Sequence, residues 1–185
     1  MNPEIKTVCV YAASSDTLDG VYAEAARRLG VLLGQAGYSL VYGGGNNGLM
    51  GILAEAMHAQ GGHITGVIPD KLHGLELAYA GCDELIVTHH LRERKSVMEA
   101  RADAFIALPG GFGTLEEILE IVTLKQLGYH QKPVVFLNIN GIYDRLMHFF
   151  NGLLEERFIT QAHQRLYHVS ASPEDALAFL ASYRA

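Results

Sequence analysis

The chain reads as an α/β protein, a doubly wound parallel sheet with helices on both faces. Three observations lead there. Short apolar runs alternate with helical patterns along the 185 residues. Most of those runs are continuous rather than alternating, as parallel strands covered on both faces require. Two of the passages from strand into helix are rich in glycine, at residues 43–51 and 110–113.

The elements follow in order. Strands are expected at residues 7–11, 39–42, 64–68, 84–87, 104–108, 134–137 and, on the weakest pattern, 167–169. Helical patterns lie between them. The first, 17–35, is stopped by Gly37, and the second, 49–60, by Gly61-Gly62. The others are 90–102, 114–127, 143–157 and 173–183. The last of these opens Ser172-Pro173-Glu174-Asp175: an N-cap, a proline at the first helical position and acids in the first turn. Residues 70–80 show no clear element and are expected to form a loop near the carboxyl ends of the strands, where such sheets bind ligands. No linker, repeat or low-complexity stretch interrupts the pattern, so residues 1–185 are read as one domain.

The totals narrow the function. Hydrophobic residues make up 49% of the chain and charged residues 18%, which fits a packed globule. The net charge is −6, the pI is near 5.8, and no lysine or arginine block stands out. Nucleic acid is therefore not an expected partner, since a polyanion needs a clustered basic surface. The two cysteines, Cys9 and Cys82, sit in apolar runs and read as small core residues. No targeting leader and no membrane-length apolar run is found, so a cytoplasmic protein without membrane contact is expected.

Two loops carry the chemistry. Leu108-Pro109-Gly110-Gly111-Phe112-Gly113-Thr114 joins a strand to a helix. Its glycines remove Cβ atoms, so backbone amides can close on an anion at the positive end of that helix. Gly43-Gly44-Gly45-Asn46-Asn47-Gly48 is a second junction of the same kind. Either loop alone is equally well a tight turn with no ligand. Neither matches the P-loop or the G-x-G-x-x-G dinucleotide pattern, so a mononucleotide monophosphate is the expected ligand.

Residues 43–51 and 109–117 are similar to the G-G-G-x-x-G-L-M-G and P-G-G-x-G-T-x-x-E motifs of the LONELY GUY (LOG) family. Arg94-Lys95 stands at that family's spacing ahead of the second motif, and the likeness runs from about residue 7 to 159. The family comprises the cytokinin riboside 5′-monophosphate phosphoribohydrolases, long mislabelled as lysine decarboxylases. The resemblance implies a Rossmann-like homodimer that hydrolyses the N-glycosidic bond of a purine nucleoside monophosphate, AMP included, to free base and ribose 5-phosphate. It implies Arg94 and Glu117 as the catalytic pair and Glu76 as an acid in the preceding loop. It also implies Lys95 beside the arginine, Gly111, Phe112, Gly113, Thr114, Leu115 and Glu116 as the phosphate and ribose cradle, and Thr123 as a further contact. Gly44, Gly45 and Gly110 complete the expected binding set. Where relatives tend to have Cys-Gly-Ser after the first strand, this chain has Ala12-Ala13-Ser14, so a Cβ stands where backbone would approach the ligand.

The same residues have plainer readings. Thr114-Leu115-Glu116-Glu117 is also a capping box, in which Glu117 would bond back to the Thr114 amide. Arg94-Lys95 is also an ordinary solvated helix face beside Glu93. Glu76 lies between two leucines in a loop. Adjacent His89 and His90 diverge on any regular backbone and do not suit one metal. The expected hydrolysis needs no metal or cofactor. A carboxylate by the ribose stabilises the oxocarbenium-like transition state or deprotonates water, while the anchored phosphate holds the sugar in line. A non-catalytic nucleotide or molybdenum-cofactor carrier on the same fold is the alternative. Decarboxylation would need a pyridoxal-phosphate lysine, and Lys71, Lys95, Lys125 and Lys132 have no distinguishing context.

Overall fold

A computed structural model describes residues 5–73 and 78–184. The strands are β1 (Thr7–Tyr11), β2 (Ser39–Tyr42), β3 (Ile64–Pro69), β4 (Glu84–Thr88), β5 (Ala104–Ala107), β6 (Val134–Leu137) and β7 (His168–Ser170). The helices are α1 (Gly20–Gln35), α2 (Gly48–His58), the short α3 (Asp70–His73), α4 (Leu91–Arg101), α5 (Phe112–Gln126), α6 (Asp144–Glu155) and α7 (Pro173–Ser182). All strand pairs are parallel, in the order β4-β3-β2-β1-β5-β6-β7. The direction of winding reverses between β1 and β5, which opens a crevice at their carboxyl ends.

Alternation along β1 divides the core. Val8 and Val10 face α1, α2 and α7, packing with Leu29, Leu33, Leu53 and Leu180. Cys9 and Tyr11 face the other layer, with Met98 of α4, Ile118 and Ile121 of α5, and Leu146 and Met147 of α6. β4 is an edge strand, and its Leu85 and Val87 remain exposed.

Several boundaries differ from expectation for local reasons. α1 begins at Gly20 rather than residue 17, because Asp19 is the residue that caps it, accepting from the Val21 amide at 3.1 Å. α5 begins at Phe112, two residues early, because Gly113 does not break its first turn. Residues 70–73 form a helical turn where a loop is expected, and residues 74–77 lie outside the described set. α7 follows expectation: Ser172 Oγ accepts from the Asp175 amide with Pro173 in the first turn.

Three contacts bind the loops at the carboxyl edge together. The Ala13 amide donates to the Pro109 carbonyl at 3.3 Å, and the Ala13 carbonyl accepts from the Leu49 amide at 2.9 Å. Tyr143, buried, donates its hydroxyl to the Leu108 carbonyl at 2.6 Å. Gly48 is the pivot. Its φ is +58°, and a Cβ there would stand 2.6 Å from the Ser15 carbonyl oxygen and 2.7 Å from that of Ala13.

Gly48→Ala therefore combines strain with overlap and should cost about 1–3 kcal/mol in chemical denaturation; wild-type stability would contradict this packing. Alkaline pH provides a second check. Burial pushes the Cys9 thiol up from 9.0 to about 12, and the buried Tyr11, Tyr42 and Tyr143 phenols move in the same direction. A raised folded-state value means that stability is intact below the ordinary value and is lost as pH climbs through the folded one. Stability should hold up to pH 9 and fall progressively toward pH 12, and a flat profile over that range would contradict the burial.

Candidate functional site

A cleft opens at the reversal between β1 and β5. Its walls come from the end of β1 (Val10, Tyr11, Ala12, Ser14), the β2–α2 loop (Gly43, Gly45, Asn46, Asn47) and Met50 of α2. Ile68 of β3, Leu72 of α3, Arg94 of α4, and Gly113, Thr114 and Glu117 of α5 complete it. Three strand ends and the early turns of four helices thus converge on one space.

Arg94 and Glu117 form an ion pair across it, the guanidinium Nη2 donating to the Glu117 carboxylate. The Arg94 side chain is 13% exposed and that of Glu117 9%. The solvated-face reading of Arg94 thus fails: α4 lies against the sheet, and position 94 shares a face with the fully buried Met98. The capping-box reading of Glu117 fails as well. Gly111, not Thr114, is the N-cap and makes no side-chain cap bond, which places Glu117 in the second turn rather than the first. Burial lowers the Arg94 pKa, opposed by its neighbours Cys9, Tyr11 and Glu116. Its Nε is buried without a hydrogen-bond partner among the described residues.

The glycines differ in what they do. A Cβ on Gly110 would overlap the Thr114 side chain, which folds back over it. The amides at the start of α5 have no intrahelical acceptor, leaving donors and the positive end of a long helix beside the cleft. Gly44, at φ +72°, sits behind the wall, its carbonyl accepting from the Tyr79 amide at 2.9 Å. The Ala13 amide is already bonded to Pro109, and its side chain joins the core. The departure from the family glycine thus supports the fold instead of lining the cleft.

Of the expected site residues, the structure brings Arg94, Glu117, Gly45, Gly113 and Thr114 into the cleft. Gly110, Gly111 and Phe112 form the turn beside it, and Phe112 projects almost wholly into solvent at 95% exposed. Lys95 and Glu116 lie outside the cleft wall. Lys95 pairs with Glu116 and, at 2.6 Å, with Glu120. Burial lowers the Lys95 pKa, but these two carboxylates outweigh that and raise it overall. Leu115 packs half-buried against the α4–α5 layer. Thr123 is not brought to the cleft: it is exposed and donates to its own helix at the Leu119 carbonyl, 2.8 Å. Glu76 lies outside the described residues.

His90 caps α4, its Nδ1 accepting from the Glu93 amide at 3.1 Å. No lysine lines the cleft among the described residues. Lys125 is held by the Tyr183 hydroxyl and Lys132 by the Glu99 carbonyl. Sequence reasoning missed Tyr11, Asn46, Asn47, Met50, Ile68 and Leu72. The asparagines stood inside a quoted motif, whereas Ile68 and Leu72 join the site only through the order of the strands.

Removing one member of a buried pair leaves an uncompensated charge. Glu117→Ala should therefore cost about 3–5 kcal/mol of stability, and Glu117→Gln less, since its carbonyl still accepts from Arg94. Wild-type stability of Glu117→Ala in urea would show that the pair contributes nothing.

Comparison with known proteins agrees with the motifs. A family model described as "Possible lysine decarboxylase" matches residues 50–180. Cytokinin riboside 5′-monophosphate phosphoribohydrolase LOG2 of Arabidopsis thaliana is 39% identical over 178 residues, 96% of this chain and 84% of that protein. LOG7 of the same plant is 41% identical, over 96% of this chain and 82% of its own. Among solved structures, the molybdenum cofactor binding protein of Rippkaea orientalis superposes with a TM-score of 0.74 at 23% identity, covering 96% of both chains. The molybdenum cofactor carrier protein of Chlamydomonas reinhardtii gives 0.73 at 24%, also covering 96% of both. Those two likenesses show a shared Rossmann-like fold and no more. With its twin glycine motifs, its buried Arg94–Glu117 pair and this identity along nearly its whole length, the chain belongs to the LOG family.

Proposed function

We propose that this protein hydrolyses the N-glycosidic bond of purine nucleoside 5′-monophosphates, of the cytokinin type and including AMP, to give free base and ribose 5-phosphate. The observation that carries the reading is the buried Arg94–Glu117 pair facing a cleft that begins at the N-terminus of α5. The phosphate takes the amides of Gly111, Phe112, Gly113 and Thr114, where the helix end favours an anion. The ribose then lies over Glu117, and the base meets the wall opposite.

In the reaction the C1′–N9 bond breaks with its electron pair on the purine. A water oxygen adds to C1′, the proton it loses passes to the Glu117 carboxylate, and a proton returned to the departing purine from that carboxyl or from solvent releases it as the neutral base. The same carboxylate faces the positive charge that grows on the ribose ring. Arg94 fixes that carboxylate and offers its remaining N–H groups to sugar or phosphate oxygens. A well-placed base contributes roughly 10²–10⁴-fold, so orientation by the anchored phosphate supplies much of the remainder.

Phe112 at the start of α5, and Leu127 and Tyr129 just past its end, are strongly exposed in the single chain, which supports a homodimer. In that arrangement Lys95, Glu116 and Thr123 would reach substrate only from across a subunit boundary. A cytoplasmic setting accords with two free cysteines; among the described residues, no helix is long and apolar enough to cross a membrane.

The test follows free base by chromatography after incubation with AMP and N6-isopentenyladenosine monophosphate. Base and ribose 5-phosphate should appear in equal amounts. Glu117→Gln and Arg94→Ala should each lower kcat/KM by roughly 10²-fold or more. Tight nucleotide binding with no base released would favour a carrier, and a fully active Glu117→Gln would remove that residue from the mechanism.

A further inference from the structure

We infer that Tyr143 is a positioning residue for the phosphate: its hydroxyl holds the Leu108-Pro109-Gly110 turn and thereby aims the first-turn amides of α5. The inference rests on the phosphate sitting at those amides, and it names the side chain outside the cleft that sets them.

Tyr143 is buried at the N-cap of α6 and does not line the cleft. Its place is set from the end of β6. The Asn138 side chain accepts from the Tyr143 amide at 2.7 Å and donates to Asp144 Oδ1 at 2.7 Å. The Asn138 amide in turn donates to the Ser170 carbonyl at 2.8 Å. The Tyr143 ring packs edge-on against the fully buried Phe136, with centroids 5.4 Å apart. From there the hydroxyl donates to the Leu108 carbonyl at 2.6 Å. Burial raises the phenol pKa, and a hydrogen bond from the Gly110 amide to the same oxygen opposes that rise. One oxygen thus holds the turn on either side of Pro109.

The turn depends on that oxygen. Leu108 and Pro109 are buried, and a buried carbonyl left without a donor costs as much as a lost hydrogen bond. The Leu108 amide is spent on the Tyr11 carbonyl, and the Pro109 carbonyl takes only the long bond from Ala13 at 3.3 Å. Proline itself has no N–H to give. The residues that follow are of another kind. Gly111, Phe112 and Gly113 are exposed, and the N-cap Gly111 makes no side-chain cap bond, so these amides remain for an anion. Glycine backbone has little preference of its own, and the direction of the amides is inherited from the anchored turn. A misplacement of about 1 Å in such an anchor costs on the order of 10²-fold in rate.

The test uses calorimetric titration of AMP and adenosine, the latter in competition with AMP, into Glu117→Gln protein with and without Tyr143→Phe. Phenylalanine keeps the ring against Phe136 and removes only the hydroxyl. AMP should bind roughly 10- to 100-fold more weakly, the size of one hydrogen bond to a charged group, while adenosine changes by less than about twofold. Tyr183→Phe, which removes a hydroxyl bonded to the Gln131 carbonyl at 2.9 Å, is the control for lost stability and should leave AMP affinity as it was. An AMP affinity unchanged by Tyr143→Phe overturns the inference. Equal weakening of AMP and adenosine does so too, because a merely structural role would loosen the whole cleft. If Tyr143→Phe does not fold, amide hydrogen exchange of the unsubstituted protein decides. Gly110 should exchange slowly without ligand, and Gly111 to Gly113 should become protected only with AMP; fast exchange at Gly110 overturns the clamp. A Glu117→Gln protein that binds no AMP removes the phosphate seat and the inference with it. A loss confined to AMP, in a protein whose wild-type form releases no base, would instead overturn the proposed reaction and leave the positioning role standing.

Discussion

A guanidinium and a carboxylate, each withdrawn from most of its water, meet where α4 and α5 cross the carboxyl ends of the strands. Desolvating both groups is expensive, and their attraction offsets that cost only when geometry holds them together. The rest of the carboxyl edge serves that geometry. Met98 anchors the face of α4 from which Arg94 projects, and Ile118 and Ile121 anchor α5 beside Glu117. Ala13 ties the β1 loop to Pro109 and to Leu49, so the two glycine loops cannot drift apart. A hydrophobic pair would fill the same space at lower desolvation cost, which is why a pair kept here points to chemistry rather than to stability.

Much of this was legible in the residues. Continuous apolar runs marked the parallel strands because both sheet faces are covered, and three of them match residue for residue: β1, β2 and β6. The weak run at 167–169 proved to be β7, displaced by one residue. Arg94 and Glu117 were found through motif resemblance, while their own local patterns argued for a solvated face and a helix cap. Local pattern misleads at such positions because burial is set by what crosses above a residue, and that information lies elsewhere in the chain. Leu72 and Ile68 show the same limit: they line the cleft because β3 lies two places from β1 in the sheet. The helical turn at 70–73 was missed because four residues give too short a pattern for periodicity to register.

The fold is shared with molybdenum-cofactor carriers at 23–24% identity, so the fold alone does not choose between holding a ligand and cleaving one. The choice sits in side chains. A carrier has no need of an acid paired with a cation in its binding cleft, and among the described residues no lysine of the kind a decarboxylase would require lines that cleft; Lys95, Lys125 and Lys132 are held by Glu116 and Glu120, by Tyr183 and by the Glu99 carbonyl. The one departure from the family pattern, Ala13, was absorbed by the core.

The most direct trial of the central claim is a crystal structure of the Glu117→Gln protein with AMP bound. The account predicts the phosphate at the first-turn amides of α5, C1′ beside residue 117 with the Arg94 guanidinium in reach, and the adenine against the opposite wall of the cleft. A nucleotide seated away from the α5 N-terminus, or with its ribose turned from residue 117, would contradict it.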